Sequence, residues 1–566
     1  MRVARHLCLL ALLSHCGAPP PPVAPRTITA PSLEGRTHRD VALTVVGTAD
    51  LHGHLERLPL LDGYLSAMRA MGPVVLIDAG DMWQGTLASN SAEGAPVVAA
   101  YNALGYDAAA IGNHEFDYGP VGPSATSTEE DHRRRGALLQ RVAEADFPVL
   151  SANLAMLASG EDPDWPGVSR RVLIERGGLK VGIIGVTTEE TLSTTIAANV
   201  NDLLVRPLAE SIAAEARALR DEGAEVILVA AHAGGECEAL ELHASEDGTG
   251  GLGDAHDASD LSSCDEESEI FRVARALPEG LVHVIVAGHT HKGLAHEVNG
   301  IAVVSAWSLG RAFSRVDLRR SATGFRAEIH RPVILCTSPP CAYAGATIRE
   351  SESLRELVSP SLAAADELLA EPLGPTISAP FERNYSGEAT AGNLLADALR
   401  ATRPNADVAL LNAGGVRASF PAGALTYGAL YEAFPFDNRF ASVQLTAGEL
   451  GAILAENARS EGGALIVSGV RADVQCGGVT LRSPQGAAMP DDRALTLTTS
   501  DYLATTPVFR NLSDGSVTIE PSAELIREAI ADHFREVGGE TLNPADYLDA
   551  DAPRIRWASP RPMSCE

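Results

Sequence analysis

Positive charge is scarce in this chain: 44 Lys and Arg stand against 74 Asp and Glu, a formal net charge of −30 over 566 residues. That balance excludes a general nucleic-acid-binding surface, because a phosphate backbone is gripped by Lys and Arg. An acidic chain that handles phosphates must concentrate positive charge locally, in metal ions and a few arginines. Long apolar runs are also scarce. Beyond the N-terminal stretch Leu7 to Leu13, itself too short to span a bilayer permanently, no segment is apolar enough to cross one. The polar end Arg561-Pro562-Met563-Ser564-Cys565-Glu566 offers no hydrophobic anchor. No internal repeat is visible. The length exceeds what one core can serve, so two large or three medium domains are expected.

Arg2 and Arg5, the apolar stretch and then Cys16-Gly17 with a Pro-rich run from Pro19 to Pro25 read as an export signal. Leu13-Ser14-His15-Cys16 resembles a lipoprotein cleavage box, which would leave Cys16 as a lipid-bearing first residue and the only membrane attachment. His15 is larger than the residue usual there, so plain secretion stands as the alternative. The expectation is residues 1–16 as signal and 17–40 as flexible linker, in an exported protein that is periplasmic, a cell-surface or outer-membrane lipoprotein, or secreted. Setting aside Cys8 and Cys16, six cysteines remain, an even set suited to an oxidising compartment. Proximity pairs Cys237 with Cys264 and Cys336 with Cys341, leaving Cys476 for Cys565.

From Val41 to Leu335 short β-branched runs alternate with helical or loop segments. Val41 to Val46, Val74 to Ile77, Leu179 to Val186, Glu225 to Ala230 and His283 to Val286 read as buried strands. An acidic, Gly- and Ser-rich insertion runs from Glu241 to Glu269 and reads as a solvated loop. Residues 336–375 read as a linker with one helix through Leu354, Leu357, Leu362 and Leu368. A second α/β unit is expected over 376–558, with strands Val408 to Leu411 and Ala441 to Leu445. Its expected helices are Ala391 to Ala401, Ala447 to Asn457 and Ala523 to Val537.

Five short clusters, read as strand-end loops, carry the chemistry: Asp50-Leu51-His52, Gly80-Asp81, Gly112-Asn113-His114-Glu115, His232 and Gly288-His289-Thr290-His291. Alone, each of these residues reads as a turn or cap. Together, Asp50, His52, Asp81, Asn113, His232, His289 and His291 mix hard oxygen donors with imidazoles, a set able to hold two divalent cations. Asp81 can bridge the two through its two carboxylate oxygens. Such a pair acidifies water and neutralises a phosphoryl group under in-line attack, which predicts a two-metal phosphoester hydrolase. The set accepts Mn²⁺, Zn²⁺, Fe²⁺ or Co²⁺. His114 is read as a catalytic residue that stabilises developing charge or protonates the leaving group, with Asp117 fixing its tautomer and Asn113 beside it.

The order Asp-x-His, Gly-Asp, Gly-Asn-His-Glu, His, Gly-His-x-His resembles the calcineurin-like metallophosphatases. Tyr101-Asn102-Ala103-Leu104-Gly105-Tyr106-Asp107 leading to Gly112-Asn113-His114-Glu115-Phe116-Asp117 is similar to the 5′-nucleotidase branch in particular. The resemblance implies a four-layer αββα sandwich over 41–335, a linker helix and a second α/β substrate-binding domain that rotates about it. It implies one metal on Asp50, His52, Asp81 and His291, and another on Asp81, Asn113, His232 and His289. Asn412-Ala413-Gly414-Gly415-Val416-Arg417, Pro435-Phe436-Asp437-Asn438 and Ala391-Gly392-Asn393-Leu394 resemble the 5′-nucleotidase C-terminal domain. By that likeness Asn412 and Arg417 contact the phosphate and ribose end of a substrate, Phe436 stacks on a base, and Asn438 belongs to the same surface. Arg binds phosphate through a planar fork and a ring face suits a nucleobase. In two places the chain departs from that pattern. Gly387 stands where the family carries Arg, with Arg383 the nearest candidate. The second stacking aromatic, Tyr502, lacks the Gly-Gly-Asp-Gly loop that follows it in the family.

The expected substrate is a small phosphoester, a nucleotide before a cyclic nucleotide or nucleotide sugar, and not a nucleic-acid polymer. A thiosulfohydrolase of sulfur oxidation resembles the same scaffold and is the alternative from a different chemical class; a phosphoesterase of non-nucleotide substrates is the alternative within the same chemistry. A non-enzymatic binding protein keeping the fold is disfavoured because the ligand set is complete. Oligomeric state is not readable from the chain.

Overall fold

The computed structural model describes residues 41–122, 134–238, 257–322, 324–460, 462–504, 506, 509, 517–519, 525–549 and 551–564. The expected signal and lipid-bearing Cys16, the linker to residue 40, most of the acidic insertion and Cys565 lie outside them. Asp40–Glu566 forms one compact unit.

Two sheets dominate its N-terminal part. One has eight strands, with a central path Gly324–Ile329, Ala312–Ser321, Val41–Thr48, Val74–Asp78, Ala108–Ala110, Val149–Leu150 and Val168–Ser169. The other has six: Gly293–Val298, Ile301–Ala306, Val284–Ala287, Val226–His232, Leu179–Thr187 and Arg171–Arg176. Alternation along each strand explains the layering. Val45, Val75 and Ile77 point into one apolar cluster shared with Val181, Ile183, Leu228 and Val286 of the opposite sheet. Their sequence neighbours Val46 and Leu76 pack outward on Leu61, Leu65 and Val98 from helices Leu58–Met71 and Ala95–Leu104. Ile184, Ile227 and Ile285 pack outward on the other side, under helices Leu208–Asp221 and Glu269–Ala276. The result is the αββα sandwich, and strands covered on both faces read as unbroken hydrophobic runs. The sheets approach closely where two glycines sit. A Cβ on Gly47 would lie 2.5 Å from Val286, and one on Gly185 2.4 Å from Leu150.

Within each sheet the strands that matter run parallel: Val41–Thr48 with Val74–Asp78 and Ala108–Ala110, and Val226–His232 with Leu179–Thr187 and Val284–Ala287. Their carboxyl ends therefore share one edge of each sheet.

The helix Glu352–Leu369 packs against helices Leu58–Met71, Ala95–Leu104 and Tyr427–Ala433. Its buried stripe is Leu354, Val358 and Ala365, while Leu357, expected on the apolar face, is 44% exposed. The buried stripe runs through Leu354, Val358 and Ala365 at steps of four and seven, and Leu357 lies to the solvent side of it. The hairpin Cys341–Tyr343 with Ala346–Ile348 precedes this helix. The C-terminal part is built on a five-stranded mixed sheet, Leu465–Ser468, Val408–Asn412, Ala494–Ser500, Phe440–Thr446 and Val517–Ile519. Helices Thr390–Ala401, Ala447–Arg459 and Ile526–Val537 accompany it. The strand Pro372–Ile377 runs through the expected boundary at 375 and pairs with Gly423–Thr426 and Thr541–Leu542. Cys237 is bonded to Cys264 and Cys336 to Cys341. Cys476 is disulfide-bonded as well.

A buried polar knot ties the hairpin to the sheet. Arg315 donates to both oxygens of Asp317 at 3.1 and 2.7 Å and to the Tyr343 hydroxyl at 3.0 Å, while Thr44 and His330 complete the shell of Asp317. Burial would raise the Asp317 carboxyl, but its bonds from His330, Arg315 and Thr44 hold it well below the usual carboxylate range. The folded-state value lies under the unfolded one, so the stabilisation is complete above about pH 4 and is lost as pH falls toward the folded value. Asp317→Asn strands the buried Arg315 and is expected to cost about 3 kcal/mol at neutral pH. Urea unfolding at pH 7 and at pH 3 checks this: the gap between wild type and variant narrows at the lower pH, and a constant gap contradicts it.

Candidate metal centre

All seven expected ligands and His114 meet at the shared edge. The parallel ladder between the first two strands continues into their loops. Ala79 N donates to Thr48 O at 2.9 Å, Asp50 N to Gly80 O at 2.9 Å, His52 N to Asp81 O at 3.0 Å and Gly53 N to Met82 O at 3.0 Å. This register sets Asp50 and His52 beside Asp81. His232 is the last residue of its strand and not in a loop, because the ladder to Leu179–Thr187 extends through it.

Backbone conformation turns the side chains inward. Asp50 (φ 52°), His52 (49°), Asp81 (56°), His289 (76°) and His291 (58°) all lie in the left-handed region. Such residues cost on the order of 1 kcal/mol each, and five among seven mark a site where geometry outranks local stability.

The ligand atoms form two groups, Asp50 with His52 and His291, and Asp81 with His232 and His289, each within 4.8 Å. His52 Nε2 lies 3.0 Å from His291 Nε2, and Asn113 Oδ1 lies 2.9 Å from His232 Nε2 and 3.0 Å from His289 Nδ1. Nδ1 of His52 faces the Gln84 carbonyl at 2.8 Å and that of His232 the Ala79 carbonyl at 2.9 Å, so in each ring Nε2 is turned inward. Asp81 Oδ1 accepts the His114 N–H at 2.9 Å, and its Oδ2 stands 3.2 Å from His232 and 3.9 Å from His52.

The donor set fits cations. Asp50, Asp78, Asp81 and Glu115 are each at most 1% exposed. Among the described ion pairs, none joins them to an Arg or Lys. Burial pulls His52 down to about 3 and His291 to about 4, keeping both rings neutral with lone pairs available. Burial raises Asp50 well above the carboxylate range. Burial also opposes charge on His232, yet Asp81 outweighs it and lifts that ring to about 9. Negative charge packed this deep calls for compensation, which divalent cations held by these residues would supply.

His114 stands at the rim. Its Nδ1 lies 2.5 Å from Asp117 Oδ2, and its ring is 5.3 Å from that of His52. Burial disfavours the imidazolium, but Asp117 and Asp81 prevail and raise it to about 10.

Several residues near the centre escaped sequence reasoning. Glu115, noted only as part of its cluster, accepts N–H bonds from Asp81, Met82 and Gly112 at 2.9, 2.7 and 2.6 Å and so pins two ligand loops together. Glu190 lies 3.0 Å from His289. Glu190 follows the strand Leu179–Thr187 by three residues, as Asp81 and Asn113 follow theirs.

In the C-terminal part Asn412 closes the strand Val408–Asn412, and the Arg417 guanidinium stands 5.9 Å from the Phe436 ring centre. Arg383 donates to the Arg417 carbonyl at 2.5 Å, and Arg417 N donates to Ala433 O at 2.8 Å. Arg439 N donates to Asp501 Oδ1 at 3.0 Å and Asp501 N to Arg439 O at 2.9 Å. This pair sets the 55% exposed Tyr502 near Asn438 on the Phe436 loop. The same region touches the metal side, since Tyr431 donates to the Gly85 carbonyl at 3.1 Å and accepts from Asn90 at 2.9 Å.

A two-sheet sandwich with this donor set at the carboxyl edge defines a metal-dependent phosphoesterase. The profile of calcineurin-like phosphoesterases matches residues 43–293, and that of the 5′-nucleotidase C-terminal domain matches residues 369–507. The chain carries a calcineurin-like phosphoesterase domain followed by a 5′-nucleotidase C-terminal domain. It is 26% identical over 500 residues to endonuclease YhcR of Bacillus subtilis, an alignment that covers 86% of this chain and only 38% of that longer protein. It is 24% identical over 465 residues to a 5′-nucleotidase of Vibrio cholerae, covering 75% of this chain and 76% of the relative. The crystal structure of a 5′-nucleotidase precursor from Thermus thermophilus shares the fold with a TM-score of 0.64 at 22% identity, covering 92% of this chain and all of that one.

Proposed function

We propose that this chain is an exported phosphoesterase that hydrolyses nucleotides at a centre of two divalent cations. The observation that carries the reading is the meeting of two buried carboxylates, Asp50 and Asp81, with four histidines, His52, His232, His289 and His291, without an Arg or Lys partner among the described ion pairs. Asp50, His52 and His291 would hold one cation, and Asn113, His232 and His289 the other, with Asp81 Oδ2 between them. Bound there, the cations would supply an acidified water as nucleophile and neutralise phosphoryl oxygens. His114, held by Asp117, supplies positive charge or a proton at the leaving oxygen.

Substrate choice falls to the C-terminal residues. Arg417 offers a fork for phosphate and Phe436 a ring for a base, with Asn412, Asn438 and Tyr502 around them. Arg383 braces the Arg417 loop through its backbone. The name of the Vibrio relative supports a nucleotide. The endonuclease name of the Bacillus relative does not extend to a polymer substrate here, because the net charge of −30 repels one. The disulfides support export, and no helix among the described residues is long and apolar enough to cross a membrane. The substrate-binding part is taken to begin at the strand Pro372–Ile377.

A screen with Mn²⁺, Zn²⁺, Fe²⁺ and Co²⁺ tests the reading. Phosphate release from AMP, and more weakly from cyclic nucleotides or nucleotide sugars, is expected. Sulfate release from a thiol conjugate of a carrier protein, or cleavage of polynucleotides, with AMP untouched, overturns it. Base stacking is checked separately. Phe436→Ala should raise KM for nucleotides by about tenfold, the loss of one stacking contact, and leave a small aryl phosphate nearly unaffected. Equal effects on both mean that no base stacks there.

A further inference from the structure

The loop after the strand Leu179–Thr187 contributes nothing to the expected ligand set, yet it reaches the centre three times. Glu190 Oε2 lies 3.0 Å from His289 Nε2. The Thr194 carbonyl accepts from Asn113 Nδ2 at 3.3 Å, and Thr195 Oγ1 donates to Asp117 Oδ1 at 2.6 Å. The strand itself places the loop, since Thr187 sits opposite His232 in the parallel ladder. The loop is also anchored from behind. Buried Thr188 donates to Glu269 Oε2 at 2.7 Å, and Glu189 N donates to Glu269 Oε1 at 3.2 Å. The Glu190 carbonyl accepts the hydroxyls of Ser193 and Thr194 at 2.9 Å each, closing the turn.

His289 differs from the other imidazoles. His52 and His232 turn Nδ1 outward to backbone carbonyls and Nε2 inward. His289 is reversed: Nδ1 faces Asn113 Oδ1 at 3.0 Å, and Nε2 faces Glu190. No backbone carbonyl is described at that outward nitrogen, so the tautomer depends on the carboxylate. With the proton on Nε2 bound to Glu190, the lone pair on Nδ1 is aimed into the centre.

We propose that Glu190 is a positioning residue that fixes the tautomer and orientation of His289, on a loop whose Thr194 and Thr195 seat Asn113 and Asp117. The inference rests on the two-cation reading of the centre. It concerns one of the two cation groups, because Glu190 touches His289 and none of Asp50, His52 or His291 among the described contacts.

Calorimetric titration of metal-stripped full-length protein with Mn²⁺ alone tests it, alongside the absorption spectrum of the Co²⁺-loaded form. Wild type is expected to take up two equivalents. Glu190→Ala should weaken one of them by about 10- to 100-fold and leave the other unchanged, with an altered Co²⁺ spectrum. Glu190→Gln keeps an oxygen that accepts from Nε2 and should bind within about threefold of wild type. Glu190 is 67% exposed at its side chain, so both variants should fold, and thermal unfolding of the stripped proteins verifies it. Two equivalents bound by the Ala variant as tightly as by wild type overturn the proposal while the metal centre stands. A Gln variant as weak as Ala also overturns it, since net charge and not the hydrogen bond would then matter. Wild type that takes up no Mn²⁺ overturns both readings together.

Discussion

His114→Ala should lower the turnover number by about 10²- to 10⁴-fold while leaving metal uptake unchanged, the scale expected for loss of a positioned acid or charge stabiliser. The geometry separates His114 from the ligands next to it. Its backbone N–H is committed to Asp81 Oδ1 and its Nδ1 to Asp117, which itself accepts from Thr195. The ring is thus fixed at both ends of its turn, and removing the imidazole disturbs neither group of ligand atoms. The side chain remains 29% exposed, so an incoming ester can reach it, unlike fully buried His232. Two measurements check the assignment: metal content by elemental analysis, unchanged in the variant, and kcat across esters of graded leaving-group acidity. A loss that shrinks with a good leaving group identifies proton donation, and a uniform loss identifies charge stabilisation. An unchanged kcat removes His114 from the chemistry.

The strands and the convergence of the candidate ligands were legible because they are written in local sequence. A strand buried on both faces must be an apolar run, and Val74–Asp78 or Val226–His232 can be little else. Ligands at parallel strand ends converge by topology, so short clusters spread from Asp50 to His291 could be joined without knowing a single distance. What stayed hidden depends on orientation. That Asp81 spends one oxygen on the His114 N–H follows from a left-handed turn at Asp81, which no composition reveals. That His289 faces the centre with Nδ1 while His52 uses Nε2 follows from which neighbour each ring meets. Glu190 was missed because a glutamate in a polar loop reads as solvated surface, and only the anchoring of that loop on Glu269 carries its carboxylate to His289. Leu357 was misplaced for a related reason, since a leucine count along a helix does not say which of two adjacent faces the core takes.

Asp81→Asn should abolish uptake of at least one cation and cut kcat by on the order of 10³-fold or more, the equivalent of about 4 kcal/mol of lost charge stabilisation. Asp81 reaches both groups, with Oδ2 at 3.2 Å from His232 and 3.9 Å from His52. Asn keeps the shape, and its amide oxygen can still accept the His114 N–H. The amide nitrogen then takes the place of Oδ2 and presents N–H donors where both cations need an anionic oxygen. Stability exposes the difference without reference to turnover. In metal-free wild type burial opposes the Asp81 charge, but the His232 and His114 rings outweigh it and keep the carboxylate well below its usual range, so metal-free Asp81→Asn should be less stable than wild type at neutral pH. Wild type should gain about 2.7 kcal/mol when a cation is supplied at a hundredfold over its dissociation constant, and the variant should gain much less. Denaturation with and without Mn²⁺ measures both differences. A variant that gains as much as wild type on adding metal would show that Asp81 bridges nothing, and the pairing of the two cation groups would have to be sought through Asn113 and Asp50 instead.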